Sequence, residues 1–230
     1  MRPVLALALA LLIPLSASAQ SLKSDDEKSL YAIGYLMGSR NLGPLSLKAH
    51  ELEIVKRGIS DGATGKKAVV EPDQQMEKIN AFAQARSSAG ADKEKVAGRA
   101  YADKAAKEQG TTKLPSGLVY KTLTPGNGPS PAATDKVKVN YEGRLTNGTV
   151  FDSSYKRGQP AEFPLNQVIK CWTEGVQKMK IGEKARLVCP SDIAYGDHGH
   201  PPTIPGGATL VFDVELLSIA PPSAPPPAQK

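Results

Sequence analysis

The use of proline changes abruptly near residue 110, from two in residues 20–110 to ten in residues 111–220, and one architecture cannot serve both sides of that change. Residues 20–110 are rich in Ala, Lys, Glu and Gln, the better helix formers. Residues 111–220 hold ten prolines, twelve glycines and most of the β-branched runs. The glycines are about as frequent in 20–110, so the prolines and β-branched residues are what argue against long helices there. In the first part Leu30, Ile33 and Met37 share one helical face, and Leu52, Val55 and Ile59 form a second stripe with Gly62 as its stop. Pro72 can open a third helix, since a first-turn proline forfeits no hydrogen bond. Met76, Ile79, Phe82 and Ala83 give that helix an apolar face, and Val96, Ala100 and Tyr101 carry the period toward Gly110. A break or kink is expected at Ser87 to Gly90. Two short helices and one long one make a thin core, so a second copy is expected to cover the stripes in a homodimer through residues 20–110. A small self-contained bundle is the alternative.

The second part reads as strands. Val137, Val139 and Tyr141 alternate with Lys136, Lys138, Asn140 and Glu142, which is a half-buried strand. Asn147-Gly148 supplies the φ > 0 turn of a hairpin. Leu210, Phe212, Val214 and Leu216 alternate with Val211, Asp213, Glu215 and Leu217 in a closing strand, and Val168 to Lys178 reads as one short helix. The expected fold is α+β: a helical N-terminal dimerisation domain (20–110) with a long linking helix, then an antiparallel β-sheet wrapped on one short helix (111–220), that helix on one face.

The ends are of another kind. Val4 to Leu15 is the only long apolar stretch and is too short for a bilayer, so no membrane span is expected. Arg2 precedes it and Ala17-Ser18-Ala19 follows it, the form of a cleavable signal peptide over residues 1–19; a buried N-terminal helix is the alternative. The protein is then periplasmic or secreted. From Pro221 the run Pro-Pro-Ser-Ala-Pro-Pro-Pro-Ala-Gln-Lys cannot build a core, and 221–230 reads as a disordered tail. The formal charge is +6, with 15 basic and 13 acidic residues in 20–110 and 13 and 10 in 111–230. An excess so evenly spread, with no basic run among aromatics, points away from nucleic acid.

Familiar catalytic and cofactor motifs are missing. His50, His198 and His200 are the three histidines. His198 and His200 sit in a Gly/Pro loop without carboxylate or cysteine at ligand spacing, so no metal is expected and both read as surface residues. There is no Gly-x-Ser-x-Gly elbow and no phosphate or dinucleotide loop, so no cofactor is expected. What stands out in a chain only 5% aromatic is the clustering of Tyr141, Phe151, Phe163, Trp172, Tyr195 and Phe212 in the second part. Filling a core is the plain explanation of that cluster; a binding pocket is the other.

The order of residues around those aromatics decides between them. Val139-Asn-Tyr-Glu-Gly-Arg-Leu and Asn147-Gly-Thr-Val-Phe-Asp-Ser-Ser are followed by Val168-Ile-Lys-Cys-Trp-Thr-Glu-Gly-Val, Ile181-Gly-Glu-Lys-Ala, Ala194-Tyr-Gly and Ala208-Thr-Leu-Val-Phe-Asp-Val-Glu-Leu. This succession, over about residues 112–219, resembles an FKBP-type peptidyl-prolyl cis-trans isomerase. Tyr31-Ala-Ile-Gly-Tyr, Gly58-Ile-Ser-Asp-Gly and Leu114-Pro-Ser-Gly-Leu-Val-Tyr resemble the exported two-domain branch related to macrophage infectivity potentiator.

The resemblance implies catalytic roles for Tyr141, Asp152 and Tyr195. It implies substrate-binding roles for Phe151, Arg157, Phe163, Val168, Ile169, Ile204 and Phe212, with Trp172 as the floor. Ile169 matches the position whose backbone N–H binds ligand carbonyls. Ala161, Thr203 and Cys171 depart from the pattern, standing where many members have an aromatic, isoleucine and glycine. The implied partners are proline-containing unfolded polypeptides, with macrolide-type inhibitors as ligands. The implied activity is X-Pro isomerisation in folding proteins with a chaperone role; the alternative is a dimeric holdase or surface-binding protein with a vestigial isomerase fold. In that fold Cys171 lies on the helix against the strand whose inward face carries Cys189. An exported chain with an even cysteine count can close a Cys171–Cys189 disulfide. Two separate buried thiols are the alternative.

Overall fold

The structure, a computed structural model, describes residues 22–220. The expected signal peptide and proline-rich tail lie outside the described residues. Helix α1 (Asp25–Met37) belongs to a compact unit of its own, and a second unit starts at Gly38. Ser24 and Glu27 cap α1 reciprocally, each side chain accepting the other's backbone N–H at 3.1 Å. Its apolar stripe is bare, with Leu30 69% and Ile33 57% exposed.

In the second unit a π-helical turn (Gly38–Leu42) and a 3-10 turn (Gly43–Leu45) lead to helix α2 (Ala49–Ala63). The α2 stop lies beyond Gly62. Gly65 takes φ 68°, and the Lys66 N–H reaches back to the Asp61 carbonyl at 3.0 Å, a left-handed termination that needs glycine at 65. Helix α3 follows a 3-10 turn after Pro72 and runs unbroken over Met76–Ala105. The expected break at Ser87 to Gly90 is absent: the helix continues through these residues, Gly90 has open space beside it, and Ala91 just beyond is buried against Gly206 and Gly207. Glu51 of α2 and Arg86 of α3 pair at 2.5 Å just before this stretch.

Seven antiparallel strands make one sheet: β1 (Thr111–Lys113), β2 (Val119–Thr124), β3 (Lys136–Leu145), β4 (Val150–Ser153), β5 (Ala161–Pro164), β6 (Lys184–Cys189) and β7 (Leu210–Ala220). Their order is β1-β2-β6-β7-β3-β4, with β5 pairing β3 next to β4. A single-turn helix α4 (Ser154–Arg157) separates β4 from β5. Between β3 and β4 the Leu145 carbonyl accepts from Gly148 N–H, and Leu145 N–H donates to Thr149. Thus Gly148 alone has positive φ, and Asn147-Gly148 closes a three-residue loop instead of forming the two centres of a two-residue turn.

The concave face holds the core, including Leu118, Val137, Val139, Leu187, Leu210, Val214 and Leu216. The short helix α5 (Lys170–Val176) lies across it. That helix is shorter than the 168–178 reading: Val168 and Ile169 are extended, and a 3-10 turn (Leu165–Gln167) precedes them. Gly175 is required there, because a Cβ would come within 2.8 Å of the Leu187 side chain. The Cys171–Cys189 disulfide joins α5 to β6 with both residues fully buried.

The short helix α5 lies on one face as expected, and the end of α3 covers the other. Val119, Val188 and Val211 stand in register across β2, β6 and β7 on the convex side, and Ala102, Tyr101, Ala105 and Ala106 of the α3 end cover them. Composition changes at residue 110, but packing is continuous across it. Among the described residues no helix is long and apolar enough to cross a membrane.

Candidate active site

Inward positions of β3, β7 and β5 meet the first turns of α5 over a basin of about 460 Å³. It is lined by Tyr141, Phe151, Asp152, Phe163, Gln167, Val168, Ile169, Trp172, Tyr195 and Phe212. Period-two alternation brings the aromatics together: Val214 opposes Tyr141, Phe212 opposes Gly143, and Phe163 opposes Val137 in register. Trp172 lies at the centre. Its ring meets Tyr141 at 5.1 Å, Phe212 at 5.3 Å and Phe163 at 5.8 Å, each nearly perpendicular. Phe151 meets Phe212 at 5.6 Å in the same manner. Such edge-to-face pairs are the arrangement that aromatic quadrupoles prefer.

One rim is polar. The Tyr141 hydroxyl donates to the Asp152 carboxylate and accepts from Arg157, 2.9 Å away. Arg157 also pairs with Asp152, and its guanidinium lies 5.4 Å from the centre of the Tyr141 ring. The chain is built to deliver this triangle. Asp152 opposes Gly143 in the β3–β4 register, the Ser153 side chain caps α4, and Gly158 ends that turn at φ 74° just past Arg157. Ser154 adds a hydrogen bond to the Tyr141 backbone N–H at 2.9 Å. Burial, reinforced by Asp152, pushes the Tyr141 phenol up to about 12, so it stays a neutral donor at physiological pH. Burial raises the Tyr195 phenol as well.

The polar rim and aromatic lining contain no nucleophile with an adjacent base, and among the described residues no group of His, Cys, Asp and Glu is placed to hold a metal ion. What the basin can do is desolvate and orient a planar apolar ring and its flanking amide.

Of the residues singled out by sequence, nine line the basin, and Arg157 stands exposed at its edge, reaching in through hydrogen bonds. Ile204 is not among the residues that border the basin. It is buried in the same core cluster as Trp172 and Phe212 and borders a second cavity beside α3, and its backbone exchanges hydrogen bonds of 2.8 and 3.0 Å with His200. The ring of Tyr195 is met instead by His200, 5.6 Å away.

Two contributors escaped the sequence reading. Gln167 lines the basin from an irregular turn that carries no periodic signal. Gly143 makes room for the rings, since a Cβ there would come within 2.7 Å of Phe151 and 2.8 Å of Phe212. A glycine inside the β3 alternation was the available signal.

Comparison with known proteins agrees with this geometry. The profile of the FKBP-type peptidyl-prolyl cis-trans isomerase matches residues 128–217, and that of the domain amino terminal to FKBP-type peptidyl-prolyl isomerase matches residues 26–122. The chain is 43% identical over 225 residues to the FKBP-type peptidyl-prolyl cis-trans isomerase FkpA of Aeromonas hydrophila, covering 92% of this chain and 82% of that protein. The chain belongs to the FKBP-type peptidyl-prolyl cis-trans isomerases. It is also 36% identical to the peptidyl-prolyl cis-trans isomerase Mip of Coxiella burnetii over 88% of this chain and 90% of that one. The crystal structure of FkpA from Escherichia coli superposes with a TM-score of 0.64 at 38% identity, covering 87% of this chain and 99% of the other. The family thus spans the helical part and the sheet of this isomerase alike.

Proposed function

We propose that this isomerase is exported, works as a homodimer through its helical part, and turns X-Pro bonds of unfolded chains in the aromatic basin while the paired subunits restrain the client. The carrying observation is the basin itself: an apolar floor at Trp172 with one polar rim, Tyr141–Asp152–Arg157. Rotation about an X-Pro bond passes through a twisted amide that has lost its resonance, over a barrier of about 20 kcal/mol in water. Twisting collapses the charge separation between N and O, so the twisted form is less polar than the planar one. A water-poor aromatic site then favours the transition state over the ground state.

In this reading the proline ring sits over Trp172 between Phe151, Phe163 and Phe212. The Ile169 N–H and the Tyr195 hydroxyl hold the flanking carbonyls, and Val168 shapes the entrance. Asp152, kept in place by Arg157 and Tyr141, sets the polarity at the rim. No proton moves and no bond is made or broken. Macrolide-type inhibitors would occupy the same basin.

Dimerisation is supported by the bare apolar stripes of the helical part, including Leu30, Ile33, Ile54, Met76 and Phe82. Two basins on one dimer raise the effective concentration of a site for any chain held by the other. The same exposed stripes favour a second reading, a holdase whose isomerase fold is vestigial. A protease-coupled assay with a proline tetrapeptide on residues 20–230 separates them. Acceleration well above the uncatalysed rate supports the isomerase, and its absence in a folded dimer supports the holdase.

A further inference from the structure

The connection from β6 to β7 contains a short turn (Ser191–Ile193) and an isolated bridge between His200 and Ile204, and little else that is regular. It carries Tyr195, the wall of the basin opposite β3–β5. Its other side is fitted against α3. Ala91 is 2% exposed, and a Cβ on Gly207 would lie 2.2 Å from its carbonyl oxygen. A Cβ on Gly98 would lie 2.1 Å from the Thr209 hydroxyl. Between these two contacts Lys95 pairs with Asp197, and its ammonium is held above its ordinary range by that hydrogen bond. Ala91, Lys95 and Gly98 are spaced i, i+4, i+7, which is a single helix face.

The path from this face to Tyr195 is short. Asp197 is two residues beyond it, Gly207 N–H donates to the Gly196 carbonyl at 2.9 Å, and Gly199 N–H donates to the Tyr195 carbonyl at 3.1 Å. Beside these contacts lies a cavity of about 330 Å³ bordered by Pro44, Ala91, Pro201, Pro205 and Ile204. On that side the connection borders open space, so its fit against α3 rests on the Ala91, Lys95 and Gly98 contacts. A small change at those contacts shifts the segment that carries Tyr195.

We propose that the Ala91–Lys95–Gly98 face of α3 is a positioning element of the isomerase site, which sets where Tyr195 stands across the basin from Asp152. Positioning in this sense rests on Tyr195 being a wall of the proline site. The long helix then serves catalysis as well as linkage: whatever moves it against the sheet moves the Tyr195 wall.

The test uses the full mature chain and a short X-Pro peptide. Lys95→Glu places two carboxylates together and should lower kcat/KM roughly three- to tenfold, with the melting temperature within about 2 °C of the parent. Amide exchange at Gly196, Gly199 and Gly207 should quicken. Lys95→Arg should keep parental activity. The reversed pair Lys95→Glu/Asp197→Lys should recover part of the loss, since Asp92 and Asp192 also face this position. Ala91→Leu, which wedges the contact sterically, should lower kcat/KM in the same direction without exchanging charge. Parental kcat/KM in folded Lys95→Glu, or no recovery in the reversed pair, overturns the positioning role. Tyr195→Ala run alongside separates the two failures: if it too keeps parental activity, the site reading of Tyr195 is what fails.

Discussion

The two parts of this chain treat apolar surface in opposite ways. In the part built on the sheet, Leu118, Leu165, Val176, Leu187 and Leu216 are fully buried, and even the aromatic floor Trp172 is only 5% exposed. In the helical part Leu30 and Ile54 are each 69% exposed, and Phe82, on the first turns of α3, is 44% exposed. A β-sheet wrapped on a helix encloses its own core within one chain. Three amphipathic helices of this length leave a stripe for another surface, and the proposed dimer supplies it. Helix α3 belongs to both regimes, bare at its beginning, fitted at Ala91 against the β6–β7 connection and packed on the sheet at Tyr101, Ala102 and Ala105.

The sharpest way to break that comparison is to cut the chain. A cut after residue 110 removes Ala102 and uncovers Val119, Val188 and Val211, and should cost on the order of 4 kcal/mol in urea unfolding or cause aggregation. A cut after residue 87 keeps that cover, and the remainder should melt close to the sheet of the whole protein. Equal stability of the two fragments would contradict the packing of α3 on the convex face.

The next largest effect concerns the bridge between α5 and β6. Cys171→Ala/Cys189→Ala frees a loop of sequence separation 18, which is worth about 3 kcal/mol on the chain-entropy argument. Chemical unfolding should register that loss. Turnover per folded molecule should change less than twofold or so, because neither sulfur borders the basin.

Leu30→Glu/Ile33→Glu examines the other regime. Sedimentation should show monomers, while the unfolding free energy of the sheet shifts by less than about 0.5 kcal/mol. A dimer that survives this change has its interface elsewhere.

The smallest effect is a null one. With the Tyr141 phenol raised to about 12 and no group that must change protonation, isomerase activity should be flat from about pH 6 to 9. Because the folded pKa lies above the unfolded value near 10, the contribution of Tyr141 to stability is complete below pH 10 and is lost as pH rises toward 12. A bell-shaped rate profile centred near neutrality would require a titrating catalyst that the basin does not contain.

The parts of this architecture that announce themselves in sequence are those with a local period. Val137, Val139 and Tyr141, and Leu210 through Leu216, alternate within one strand and need no partner to be read. The convex valines do not, because Val119, Val188 and Val211 come from three strands and form a stripe only after pairing. Ser87 to Gly90 also mislead, because the propensity cost of two serines and a glycine, about 1 kcal/mol for the glycine, is too small to break a helix of this length.

The basin shows the same division. Its aromatics were legible through an ordered succession of motifs, and the Cys171–Cys189 pairing through the family resemblance, which implies facing elements for the two. The burial of Ile204 beside a second cavity lies in an irregular loop with a single backbone bridge, which no side-chain period encodes. Nor does spacing reveal that Arg157 holds both the Tyr141 hydroxyl and Asp152.

The central claim is that an apolar basin with one polar rim performs the isomerisation without covalent or acid–base chemistry. The direct measurement is kcat/KM of Asp152→Leu on a short proline peptide, with near-ultraviolet circular dichroism to verify the fold. The rim carboxylate is lost while the aromatic lining remains, so kcat/KM should fall by about tenfold or more, a loss of at least ~1.4 kcal/mol of transition-state binding. Tyr195→Phe, which removes one hydroxyl and keeps the wall, should lose less. A folded Asp152→Leu enzyme turning over the peptide at the parental rate would contradict the account.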